Sequence, residues 1–184
     1  TLFGRNADSG VVQLITRKPT ANSNAYGAVS YGNYQTTRAN LYATTGFGDQ
    51  LAGDISVNYS NQNAGYGVNV DTGLQFGQKK ETLLRSKWVY TPLEDTKVTV
   101  WASYANARHS ADSAKQLVPG AVALDGVTTA TNNYYNITGD VTPSMEFLAH
   151  VFAATLEHDF GPLLVKNISS YQSLTTHQIF DNDF

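Results

Sequence analysis

Apolar and polar residues alternate along most of this chain. In residues 37–47, TRANLYATTGF, Ala39, Leu41, Ala43, Thr45 and Phe47 share one parity, and Arg38, Asn40, Tyr42 and Thr44 share the other. In residues 51–60, LAGDISVNYS, the set Leu51, Ile55, Val57 and Tyr59 opposes Asp54, Ser56, Asn58 and Ser60. Val98, Val100, Ala102 and Tyr104 oppose Thr99, Trp101, Ser103 and Ala105 in KVTVWASYANAR. Leu84, Trp88 and Tyr90 oppose Arg85 and Lys87. Side chains of period two belong to strands with unlike faces. The pattern predicts strands over 25–34, 37–47, 51–60, 80–91, 96–108, 147–158 and 163–175, each antiparallel to its sequence neighbour. In 147–158 the richer face carries Leu148, Phe152, Ala154 and Leu156; the parity of 163–175 does not assign its faces.

The punctuation agrees. Pro19, Pro92, Pro119, Pro143 and Pro162 all fall outside the predicted strands, where a missing N–H would break the ladder. Short Gly-, Pro- and Asp-rich links (GFGDQLAG, TPLEDT, HDFGPL) alternate with long ones, Asn61–Lys79 and His109–Glu146. Short turns at one end and long loops at the other mark an outer-membrane β-barrel. The strands also reach the roughly 9–11 residues that a tilted strand needs to cross a bilayer. Phe47, Tyr59, Trp88, Tyr90 and Tyr104 sit near strand ends on the apolar parity, where a membrane interface favours amphipathic rings. A soluble β-sandwich alternates too, but a link of such length is uncommon in a small one.

Composition changes the picture at three points. Only 15% of residues are charged and the net charge is -3, which makes no electrostatic case for nucleic acid. Cys is absent, which removes disulfides and thiolate metal sites. No run approaches the ~18 apolar residues of a membrane helix.

The opening, TLFGRNADSGVVQLITRKPT, resembles the end of the plug domain of TonB-dependent outer-membrane receptors. Thr1, Leu2, Phe3, Gly4, Arg5, Asn6, Ala7, Gly10, Thr16, Arg17, Lys18 and Pro19 carry the likeness, and Val11 and Gln13 depart from it. The following AYGAVSYGNYQTTRANLYATTGFGDQLAGDISVNYS looks like the first barrel strands, and TLEHDFGPLLVKNISSYQS like a later periplasmic hairpin. The resemblance implies an all-β chain: an incomplete, antiparallel up-and-down transmembrane barrel wall of about seven strands, against roughly 22 in the family. It divides the chain into the plug's end (1–20), a hinge (21–24) and barrel wall (25–184). It further implies a piece of a Gram-negative outer-membrane importer, drawing energy through a TonB system. The solute is most commonly a ferric siderophore, less often cobalamin, haem or a carbohydrate.

The motif also reads locally. Gly4 and Gly10 permit a tight reversal, Asn6 and Asp8 bond nearby amides, VVQLIT is a short strand, and Pro19 ends it. That structural role suffices for Gly4, Arg5, Asn6, Gly10 and Pro19; the alternative is that Arg5 or Arg17 pairs with carboxylates of the wall. Tyr134 and Tyr135, in the longest link, offer aromatic surface with hydroxyl tips to a ligand, or else pack the loop.

Nothing supports an enzyme, a metal or a cofactor. His109, His150, His158 and His177 lack ligand spacing, and neither G-x-S-x-G nor a P-loop occurs. Glu157–Asp159 reads as a solvated strand end, and Asp181–Asp183 is too short for an EF-hand loop. The rivals are a structural or diffusive outer-membrane barrel without TonB coupling, and a soluble β-sandwich binding module. Of the face assignments, Leu41, Ala43, Ile55, Val57, Leu84, Val98, Val100 and Ala102 are expected to meet lipid. Arg38, Asn40, Asp54, Asn58, Arg85, Lys87 and Thr99 are expected to meet the lumen.

Overall fold

The computed structural model describes residues 15–110 and 118–180. The chain is all-β. Its strands are β1 (Asn24–Gly32), β2 (Thr36–Phe47), β3 (Leu51–Gln62), β4 (Gly67–Val68), β5 (Gln75–Phe76), β6 (Lys79–Leu93), β7 (Thr96–His109), β8 (Ser144–Asp159) and β9 (Leu164–Ile179). Seven of them form one antiparallel sheet in the order β1-β2-β3-β6-β7-β8-β9; β4 and β5 form a separate two-stranded ribbon. The sheet is open, with β1 and β9 at its edges.

Strand bounds depart from the alternation in instructive places. β1 stops at Gly32, because residues 33–35 make a tight turn in which Tyr34 (φ 59°) and Gln35 (φ 53°) are left-handed. β3, β6, β7, β8 and β9 all run further than their periodicity, which shortens the two long links to 63–78 and 110–143. Pro92 falls inside β6, contrary to the sequence expectation. The pairing of β6 with β7 is irregular between Tyr90 and Leu93, and a proline is tolerated where the ladder is already broken. The β4–β5 ribbon has no counterpart in the predicted strands.

Register decides the faces, since directly opposed residues share one. Leu41 pairs with Val57, Val57 with Leu84, Leu84 with Tyr104 and Tyr104 with His150. Ala43, Ile55, Ser86, Ala102, Phe152 and Tyr171 form the next row on that side. Trp88 pairs with Val100, and Tyr90 with Val98, on the same face. On the other face, Thr44, Asp54, Lys87, Trp101, Ala153 and Ser170 make one row, and Asn40, Asn58 and Leu83 part of another. The expected division of residues between two faces therefore holds as a division. β9, unassigned from its own sequence, gets its faces from β8: Tyr171 joins the apolar side, while Ile168 and Leu174 join the polar one.

Burial is inverted with respect to a water-soluble sheet. All six buried side chains of the main sheet (Thr36, Tyr42, Thr44, Asp54, Ala149 and Ala153) lie on the polar face. Asp54 is only 4% exposed, yet Leu41 on the apolar face is 47% and Phe152 51% exposed. No second sheet covers the apolar face among the described residues.

Candidate functional site

Two assemblies stand out: a tail on the polar face and a pair of docked loops at one end of the sheet. The tail is residues 15–23. Thr20 donates its N–H to the Thr44 hydroxyl (2.9 Å), and Gly46 N–H donates to the Ala21 carbonyl (3.0 Å). A Cβ on Gly46 would lie 2.8 Å from the Ala21 backbone, so the close approach needs glycine there. The Ser23 and Thr45 hydroxyls add a further bond (2.8 Å). Residues 21–23 of the expected hinge (21–24), together with Thr20 before them, are thus fastened along β2, and Asn24 already belongs to β1.

Further up the tail, Lys87 Nζ donates to the Thr16 hydroxyl and to the Arg17 carbonyl. Lys87 is held in place from below, where its own N–H donates to Asp54 Oδ1 (3.0 Å). A carboxylate of the sheet is the alternative partner that the sequence leaves open for Arg5 or Arg17. No described carboxylate lies within ion-pair distance of Arg17; its guanidinium sits 5.8 Å from the centre of the Tyr26 ring, a cation–π contact. Pro19 lies between these anchors, four residues after the first described residue. Gly4, Arg5, Asn6 and Gly10 lie outside the described residues.

Lys87→Ala removes both contacts to residues 16 and 17 and leaves the Thr20 and Gly46 bonds in place. Charge-assisted bonds are strong, but this one is exposed, so the expected cost is about 1 kcal/mol. Amide exchange should then rise about fivefold near residues 16–18 and stay unchanged at 20–23. A uniform rise through residue 23 would show that the tail is held as one unit by Lys87.

The second assembly joins the connections 63–78 and 110–143. Both leave the same end of the sheet as the turn at 33–35; the short turns at 48–50, 94–95 and 160–163 occupy the other end. Asn69 and Ile137 form a parallel bridge, in which Val70 N–H reaches the Ile137 carbonyl (2.9 Å) and Ile137 N–H the Val68 carbonyl (3.1 Å). Asn69 is fully buried. Its Oδ1 accepts from the N–H groups of Asp71 (3.1 Å) and Thr72 (3.3 Å), turning its own loop. Its Nδ2 donates to the Val141 carbonyl (3.4 Å) and the Thr142 hydroxyl (3.3 Å) of the other loop. Asp71 Oδ2 accepts from Gly139 N–H (2.7 Å), and Asn136 Oδ1 from Val68 N–H (3.1 Å). Gly67 lies so close to the Tyr135 carbonyl that a Cβ would overlap it.

Aromatic rings gather over this junction. Tyr66 is central, with ring centroids 6.2 Å from Tyr34, 5.6 Å from Phe76 and 6.3 Å from Tyr135. Tyr134 stands edge-on to Tyr135 at 5.5 Å and is 72% exposed. Of the two tyrosines singled out by sequence, Tyr135 therefore makes the contact between loops, with 55% of its surface still exposed, and among the described residues the Tyr134 ring meets only its neighbour. The left-handed Tyr34 brings a third connection into the cluster, and non-glycine residues in that conformation are often strained for a functional reason. The sequence reading missed Tyr34, Tyr66, Phe76 and Asn69. Asn69-Val-Asp-Thr-Gly73 did contain a turn signal, since Asn side chains bond the backbone two residues on.

In the exposed part of the longer loop, Val122 and Thr129 bridge around a turn at Asp125. The Thr128 hydroxyl and the N–H groups of Val127 and Thr128 donate to the Asp125 carboxylate and hold its pKa below the usual range.

No family model matches the chain, and neither a curated protein nor a solved structure does. Among the described residues no helix is long and apolar enough to cross a membrane, which says nothing about strands.

Proposed function

We propose that the chain is part of the wall of an outer-membrane β-barrel of the TonB-dependent receptor type, with residues 1–20 as the end of its plug. The observation that carries the reading is the inverted sheet, with bulky apolar side chains exposed on one side and the buried, hydrogen-bonded polar ones on the side that also bears the tail. Water gives no reason to expose that apolar side, whereas a lipid bilayer does. Open edges at β1 and β9 are where further strands of a wall would pair. The likeness of residues 1–20 to a plug's end supplies the family.

In such a receptor the solute, most commonly a ferric siderophore, binds outside the cell under the loops. A pull from TonB on the plug then shifts the population towards an open path. The docked loops and their tyrosines suit the outer side, and the short turns the periplasmic side. No bond in the solute is made or broken, and no catalytic group is required.

The chain's two tryptophans make a direct test, because Trp88 lies on the apolar face and Trp101 on the polar one. With each in turn as the sole tryptophan of the full protein folded into bilayers of brominated lipid, Trp88 should be strongly quenched and Trp101 little. Equal quenching of the two sinks the membrane reading. TonB coupling is then decided separately. Solute accumulation should stop when TonB is deleted, and accumulation that persists identifies a diffusive barrel instead.

A further inference from the structure

We infer that the cavity between the tail and the polar face is a binding site for a multivalent anion, a solute bearing carboxylate or phosphate groups. The cavity measures about 470 Å³ and lies towards the short-turn end of the sheet. Of the eleven described residues lining it, five are cations (Lys18, Arg85, Lys87, Lys97 and Lys166) and none is a carboxylate. They come from the tail, β6, β7 and β9, so only the folded chain brings them together.

Compensation within the protein is incomplete. Glu157 stands in register between Lys97 and Lys166 and reaches both, at 3.8 and 2.6 Å. Asp54 lies beside Lys87 but accepts from its backbone N–H and from the Tyr42 hydroxyl. Counting both carboxylates in full still leaves three positive charges. Among the described residues Lys87 Nζ meets only neutral acceptors, the Thr16 hydroxyl and the Arg17 carbonyl. Arg85 Nε is buried with no hydrogen-bond partner among the described residues. A buried donor without an acceptor is costly, and clustered like charges repel; an anion entering the cavity relieves both. Arginine's planar fork matches carboxylate and phosphate oxygens, and lysines on the opposite walls suit an anion with more than one charge. Trp101 forms part of the lining and keeps one side of the cavity apolar. An anion bound here needs only the polar face and the tail, whatever the apolar face contacts.

Citrate and pyrophosphate are the probes, titrated calorimetrically into the full-length protein in uncharged detergent at low ionic strength. At least one should bind saturably, and the tighter of the two assigns carboxylate or phosphate as the preferred group. Arg85→Gln and Lys166→Gln should each weaken binding roughly five- to tenfold, and added salt should weaken it further. Lys166 is half exposed on an edge strand, so its replacement tests the site even if Arg85→Gln fails to fold. Lys80→Gln, on the opposite face, should change nothing. Absence of saturable binding by either probe overturns the assignment, as does an equal loss in the Lys80 variant.

Discussion

Replacing Val100 with arginine should destabilise the protein folded in a bilayer by roughly 2–4 kcal/mol, the cost of a lipid-facing cation near the midplane of a barrel strand. Val100 lies on β7 between Trp88 of β6 and Ala154 of β8, all on the apolar face. In lipid, an arginine there must distort the bilayer or reach along the strand for the headgroups. The control is Asn58→Arg on the polar face, where the register partners are Asn40 and Leu83 and the side chain is exposed. Its cost should stay within about 0.5 kcal/mol. The adjacent Thr99 is an inferior control, because it lines the cation-rich cavity and an arginine there adds repulsion of its own. Reversible folding into bilayers measures both variants. Equal costs for Val100→Arg and Asn58→Arg mean that the apolar face does not meet lipid.

Asn69→Ala should undock the two loops at a local cost of about 2–3 kcal/mol, since several backbone and hydroxyl groups lose a partner in a place closed to water. The sheet itself makes no use of Asn69, so global stability should change little. The readout is amide exchange at Val70 and Ile137, whose N–H groups form the bridge between loops. Both should exchange about 30- to 150-fold faster, and together. Asn69→Asp keeps the acceptor for Asp71 and Thr72 but loses the donor to Val141, so it should undock the loops while sparing the turn at 71–73. A rise confined to residues 68–78 after Asn69→Ala means that the second loop holds itself in place without the first. If the loops cover a solute, the undocked variant should also bind it more weakly, with Tyr134→Ala weakening binding by a smaller factor.

The two tyrosines considered for either ligand contact or loop packing have different neighbours for a plain reason. Tyr134 and Tyr135 are adjacent and chemically alike, so the sequence treats them as equivalents. Docking separates them in degree, because Tyr66 arrives from a loop some seventy residues earlier and meets the Tyr135 ring alone, leaving Tyr135 55% and Tyr134 72% exposed. Arg17 shows the same limit. Its charge admits a carboxylate partner, but among the described residues the fold sets its guanidinium over the Tyr26 ring.

Alternation, being a local property of period two, determined the strands, their antiparallel neighbours and the division of each into an apolar and a polar face; short turns left little choice of pairing. Even so, the sequence of β9 is too evenly mixed to orient itself, and only its register with β8 placed Tyr171 beside Phe152. Pro92 looked like a stop because proline breaks a regular ladder; the tertiary pairing supplied an irregular one, and β6 continued past it. The loop latch at Asn69, the tail's grip through Lys87 and the five-cation cavity depend on groups that are distant in the chain. Their contacts follow from register and from how one backbone lies over another, quantities that no local periodicity carries.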